Sequence, residues 1–91
     1  MKPRHIAVVD DEPDITLMLA NYLQEHGFRV SRVGNGTTLM ALMRQDAPDL
    51  VLLDIGLGRE DGLVLARRLR EHWRVAIILV TGRSDQVDKI V

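Results

Sequence analysis

Oxygen-bearing side chains stand where the apolar runs of this chain stop. Ile6-Ala7-Val8-Val9 gives way to Asp10-Asp11, Leu50-Val51-Leu52-Leu53 to Asp54, and Val75-Ala76-Ile77-Ile78-Leu79-Val80 to Thr81. If these runs are neighbouring parallel strands, the carboxylates and the hydroxyl meet at one edge of a sheet, the edge where open α/β sheets hold their ligands. Carboxylates crowded together resist ionising unless a cation sits among them. The pattern therefore predicts a small acidic pocket suited to a hard metal ion. Mg²⁺ takes octahedral oxygen ligands, often one or two carboxylates with carbonyl, water and phosphate oxygens, and this set of residues can supply them.

Each residue also has a plainer reading. Asp10-Asp11-Glu12 and Asp14 form a dense acidic cluster, which a solvated loop leading into a helix N-terminus would equally favour. Asp54 can cap a turn, or act as a nucleophile that accepts a phosphoryl group as an acyl phosphate. In the second case a metal would neutralise charge on the phosphoryl oxygens, and positioning would do most of the remaining work. Thr81 is either the N-cap of a helix starting near Arg83 or a hydroxyl that moves to bond a phosphoryl oxygen.

The elements that would hold these groups follow from the hydrophobic periods. Residues 5–9 suit a buried strand. Residues 13–26 carry Ile15, Met18, Leu19, Tyr22 and Leu23 at helical spacing, with Pro13 in the first turn and Gly27 as C-terminal cap. Residues 28–33 read as a more polar edge strand, and Asn35-Gly36 as a turn. Thr37 to Gln45 reads as a second helix with Leu39, Leu42 and Met43 inward, and Pro48-Asp49 breaks the chain before strand 50–53. A loop over 55–61 leads to a helix from Gly62 to His72, then strand 75–80. A fourth helix is predicted over Arg83 to Val91. The order βαβαβαβα, with nearly all-apolar first, third and fourth strands, predicts an α/β fold with a doubly wound parallel sheet.

Composition narrows the setting. Of the 91 residues, 46% are hydrophobic but only 3% aromatic, so a core must be built from aliphatic side chains. No cysteine is present, which excludes disulfides and thiolate zinc sites. No apolar stretch approaches the ~20 residues of a membrane span, the N-terminus lacks the apolar segment of a signal peptide, and the chain reads as cytoplasmic. A net charge of −1 gives no electrostatic case for nucleic acid as main partner. Arg67, Arg68, Arg70 and Arg74 read as surface near a helix C-terminus. His5, His26 and His72 share no metal spacing and read as surface or capping residues.

The motifs Val8-Val9-Asp10-Asp11-Glu12, Leu53-Asp54-Ile55-Gly56-Leu57, Asp61-Gly62 and Ile78-Leu79-Val80-Thr81-Gly82 together resemble the receiver domain of two-component response regulators, over the whole chain and in order. The opening Val-Val-Asp-Asp-Glu-Pro and the ending Val-Thr-Gly-Arg-Ser-Asp are most similar to the OmpR/PhoB subfamily, and the ending to TorR-like regulators of anaerobic respiration. The resemblance implies a flavodoxin-like (CheY-like) fold, with Asp54 taking a phosphoryl group from a sensor histidine kinase. It also implies Mg²⁺ bound directly by Asp11 and Asp54, through water by Asp10, and by the carbonyl of Gly56. Thr81 would be the switch hydroxyl, and small Gly82 would leave room at the phosphorylation site.

The same resemblance marks departures. The family usually has Pro where this chain has Gly58, and the match ends in the predicted fourth helix. Residues 1–91 are thus expected to be an incomplete receiver lacking the fifth strand, the last helix, the lysine that would contact the phosphoryl group and the aromatic switch residue. Lys89 does not replace that lysine by motif. Strand 75–80 would become a sheet edge and invite a homodimer, by edge pairing or by exchange of the terminal helix about Thr81-Gly82. Switching in the fragment is expected to be impaired, and DNA would be reached only through an effector domain absent here. The chain is not expected to be an enzyme. The rival readings are an unphosphorylated interaction or dimerisation module and a Mg²⁺-dependent phosphohydrolase.

Overall fold

A computed structural model describes residues 2–57, 60–80 and 87–90. Strand β1 (His5–Val9) is buried at every position, as its uninterrupted apolar run requires of a central strand. It pairs in parallel with β2 (Arg29–Val33) on one side and β3 (Leu50–Asp54) on the other. β3 pairs in parallel with β6 (Ala76–Val80). Between β3 and β6 the short strands β4 (Gly56–Leu57) and β5 (Glu60–Asp61) form an antiparallel pair of their own. This hairpin occupies the segment predicted as loop. The order β2-β1-β3-β6 is that of a flavodoxin-like doubly wound sheet, and β2, half-exposed and polar, is its edge as expected.

Helices α1 (Pro13–Glu25), α2 (Gly36–Gln45) and α3 (Gly62–His72) fill the crossovers. Side chains alternate across strands, and the alternation divides the core. Ala7, Val9, Val51, Leu53, Ile77 and Leu79 pack with Leu39, Met40 and Met43 of α2 and Leu65, Ala66 and Leu69 of α3. Ile6 and Val8 are buried but lie outside that cluster, on the face where α1 crosses β1 and β2.

Several expectations change in detail. α1 buries Thr16 and Ala20, whereas Met18 and Tyr22 of the predicted stripe are each 59% exposed. Small residues let the helix lie close to the strands, and the larger ones are turned aside. Gly27, at φ 90, ends α1 as predicted, in the left-handed region that glycine enters freely. Asn35 does more than turn the chain: its side chain accepts the Thr38 N–H at 2.9 Å as N-cap of α2. His5 is only 2% exposed and is therefore neither a surface nor a simple capping residue.

The largest correction is at the C-terminus. Residues 87–90 of the predicted fourth helix form strand β7 (Val87–Ile90), antiparallel to β6. The β6 edge is therefore covered from Ile78 to Val80, and β2 and β7 are the outer strands of the sheet. The physical reason is competition for backbone hydrogen bonds. An isolated helix this short is marginal, while the β6 edge presents a row of unpaired donors and acceptors. A connection over 81–86 is long enough for an antiparallel return but too short for a parallel crossover. β7 runs opposite to the other strands and is not the parallel fifth strand of a receiver. Lys89 lies on it in register with Leu79.

Candidate functional site

The acidic residues converge because β1 and β3 are adjacent and end together: Val9 is in register with Leu53. Asp10 continues the ladder for one step, its N–H donating to the Val33 carbonyl at 3.1 Å. The chain then turns. Asp10 Oδ1 accepts the Glu12 N–H at 3.0 Å, a local Asx-type bond, and Pro13 opens α1. Glu12 is the N-cap by backbone alone; its carbonyl accepts from Ile15 at 3.1 Å and Thr16 at 3.2 Å. The segment thus starts a helix and also places carboxylates at the strand ends.

Asp54 is the last residue of β3, in register with Val80 of β6. The next N–H, of Ile55, donates to the Val80 carbonyl at 2.9 Å, so the strand ends are tied where the side chain of Asp54 emerges. Asp10, Asp11 and Asp54 each bring a carboxylate oxygen within 4.8 Å of the others. Asp10 and Asp54 are half-buried, while Asp11 is exposed. Burial pushes the Asp10 carboxyl above its ordinary value, and the charges of Asp54 and Asp11 push it further, against the Glu12 N–H that holds it down. Hard oxygen donors, close spacing and a carboxyl that resists ionisation among like charges form a donor set that fits Mg²⁺ or a similar cation.

Gly56 follows on β4, with Asp61 of β5 as its partner in register. Thr81, Gly82 and Gly58 lie outside the described residues. Asp61 caps α3, its Oδ1 accepting the Leu63 N–H at 2.9 Å, which brings the start of that helix beside the site.

Sequence reasoning missed a second polar cluster at the opposite end of the strands. The Arg29 guanidinium donates to both oxygens of Asp46, at 2.6 and 3.0 Å. Those bonds hold the Asp46 carboxyl below the usual carboxylate range. The His5 ring lies beneath: Nε2 is 2.7 Å from Ser31 Oγ, and Nδ1 is 3.8 Å from Asp46 Oδ1. Asp49 accepts the His5 backbone N–H at 2.8 Å. No spacing rule links positions 5, 29, 31, 46 and 49; the β1–β2 register brings the first three together, and the chain between α2 and β3 adds Asp46 and Asp49.

Comparison with known proteins places the chain. The response regulator receiver domain family matches residues 6–91. The TorCAD operon transcriptional regulatory protein TorR of Escherichia coli K12 is 48% identical over 89 residues, covering 98% of this chain and 39% of that protein. The transcriptional regulatory protein AruR of Pseudomonas aeruginosa is 46% identical over 96 residues, covering 100% of this chain and 39% of that protein. This chain thus spans well under half the length of these curated relatives. The crystal structure of the receiver domain of the TMAO respiratory system response regulator TorR superposes with a TM-score of 0.83 at 48% identity, over 94% of this chain and 72% of that one. Among the described residues no helix is long and apolar enough to cross a membrane.

Proposed function

Because the chain belongs to the response regulator receiver domain family, we propose that Asp54 is its phosphoacceptor and that Asp10 and Asp11 complete a Mg²⁺ site beside it. The observation that carries this reading is the meeting of the Asp10, Asp11 and Asp54 carboxylates at the strand ends.

In the proposed reaction a carboxylate oxygen of Asp54 attacks the phosphorus of a histidine kinase's phosphohistidine. A new P–O bond forms and the P–N bond breaks. Its electron pair returns to the imidazole, which takes up a proton, and Asp54 is left as an acyl phosphate. Asp54 and Asp11 would hold the cation directly, Asp10 through water, and Gly56 through its carbonyl. Bound there, Mg²⁺ supplies positive charge against the phosphoryl oxygens. The Glu12 N–H fixes the orientation of Asp10, and the tie from Ile55 to Val80 fixes the backbone from which Asp54 projects. Thr81, next after the register partner of Asp54, is proposed as the hydroxyl that reads the phosphoryl group.

On this reading the domain is a stoichiometric acceptor rather than a turnover enzyme, and it works in the cytoplasm with a sensor kinase. DNA binding would belong to the part of such regulators that lies outside these residues. Incubation with acetyl phosphate and Mg²⁺, followed by mass spectrometry, tests the proposal. The expected result is a single phosphoryl group per chain, on Asp54. An unlabelled chain would favour an unphosphorylated interaction module. Repeated turnover of a phosphomonoester would favour a phosphohydrolase. Either result would overturn the reading.

A further inference from the structure

Gly62 opens α3 and is buried. A methyl group in place of its hydrogen would lie 2.7 Å from the Asp54 carbonyl oxygen, 2.7 Å from Ile55 Cα and 3.1 Å from the Ile55 carbonyl oxygen. All three are backbone atoms, which cannot swing aside as the end of a long side chain can. Helix propensity alone would make alanine the better residue here, so the demand for glycine comes from the neighbouring strand end. The same residue's N–H donates to the Ile55 carbonyl at 3.2 Å. The peptide linking Asp54 to Ile55 is therefore held from two sides: by the Val80 carbonyl at 2.9 Å from the Ile55 N–H, and by the bare face of Gly62. The β4–β5 pairing of Gly56 with Asp61 closes the same clasp.

We propose that Gly62 is a positioning residue for phosphoryl transfer: its missing side chain lets the first turn of α3 seat directly on the Asp54–Ile55 backbone and sets the direction in which the Asp54 carboxylate leaves the strand. The inference rests on the reading of Asp54 as phosphoacceptor. Moving the contact from 2.7 Å to an ordinary 3.4 Å requires a displacement of about 0.7 Å, and misplacements near ~1 Å cost on the order of 100-fold in reactions governed by alignment. Gly62 itself touches no reacting group. It acts through the Asp54 main chain.

The test compares wild type, Gly62→Ala and Gly34→Ala at saturating Mg²⁺, with the acetyl phosphate labelling rate expressed per folded chain. A Cβ at Gly34 meets nothing within 4 Å, so that variant carries the same chemical change without the contact. Gly62→Ala is expected to label on the order of 100-fold more slowly, with the deficit persisting at saturating acetyl phosphate as a loss of maximal rate. Gly34→Ala is expected to keep the wild-type rate. A second measurement uses wild type alone and does not depend on the variant folding. Addition of Mg²⁺ with beryllofluoride should slow amide exchange at Gly62 by about tenfold, through the coupling of local opening to ligand binding, and leave Gly27, at the other end of the sheet, unchanged. Wild-type labelling with an unimpaired Gly62→Ala, or a Gly62 amide indifferent to the ligand, would overturn this inference while leaving the phosphoacceptor reading intact. An unlabelled wild type would sink both.

Discussion

Asp10 and Asp46 lie at opposite ends of the parallel strands, and their carboxyl groups are driven in opposite directions. At the C-terminal end Asp10 is raised by burial and by the charges of Asp54 and Asp11. At the N-terminal end Asp46 is lowered by hydrogen bonds from the Arg29 guanidinium. The first arrangement concentrates like charge and works against the fold unless a cation joins it. The second pairs opposite charges and ties β2 to the segment before β3. On the proposed reading one end of the sheet binds and the other holds. The same residue type serves both because its partners differ, not its chemistry.

Substitutions at the two ends should separate these roles. The largest effect is expected from Asp54→Asn, which removes the carboxylate proposed to attack: acetyl phosphate labelling should vanish while the far-UV spectrum stays native. Persistent labelling elsewhere would mean that the acidic end is not the acceptor. Next, Asp11→Ala should weaken Mg²⁺ binding by on the order of 100-fold, the upper range for losing an outer-shell partner and a lower bound for losing a direct ligand. Trp73 fluorescence or amide shifts during a Mg²⁺ titration would measure it, and a response equal to wild type would remove Asp11 from the site.

A smaller change of opposite sign is expected for stability. The folded pKa of Asp10 lies above the unfolded one, so its contribution is present at acid pH and is lost as pH rises through the raised folded value. At neutral pH the ionised group therefore opposes folding. Asp10→Asn keeps an acceptor for the Glu12 N–H and removes the charge. Without Mg²⁺ it should raise the thermal midpoint at pH 7, by an amount that solvent screening of this partly exposed group keeps small. A lowered midpoint would contradict the crowding argument. The smallest effect belongs to the other end. Arg29→Ala should lower the midpoint slightly and leave Mg²⁺ affinity unchanged. The folded pKa of Asp46 lies below the unfolded one, so the pair's contribution is complete above the ordinary carboxylate range and is lost as pH falls through the depressed folded value. Wild type and Arg29→Ala should therefore converge in acid, and high salt should narrow the gap at neutral pH because the pair is exposed.

The amino-acid sequence by itself determined the parallel strands, the helices between them and the acidic edge. Its signals for these are local: an all-apolar run such as Ile6–Val9 or Leu50–Leu53 suits a strand inside a sheet with helices over its faces, and a carboxylate directly after it emerges at the strand end. Asp10, Asp11 and Asp54 could be named for that reason before any contact was known. Tertiary structure alone decided the rest. The fourth helix predicted over Arg83 to Val91 gave way at residues 87–90 to the unpaired edge of β6, because a short helix cannot compete with a ready row of backbone partners. His5 became buried, with Nε2 against Ser31 Oγ, because the pairing of β1 and β2 put it there. The need for glycine at position 62 is invisible in the motif Asp61-Gly62, since it arises from the Asp54 and Ile55 backbone across the loop. Periodicity reports which way a side chain faces; which atoms it meets depends on pairings between distant parts of the chain.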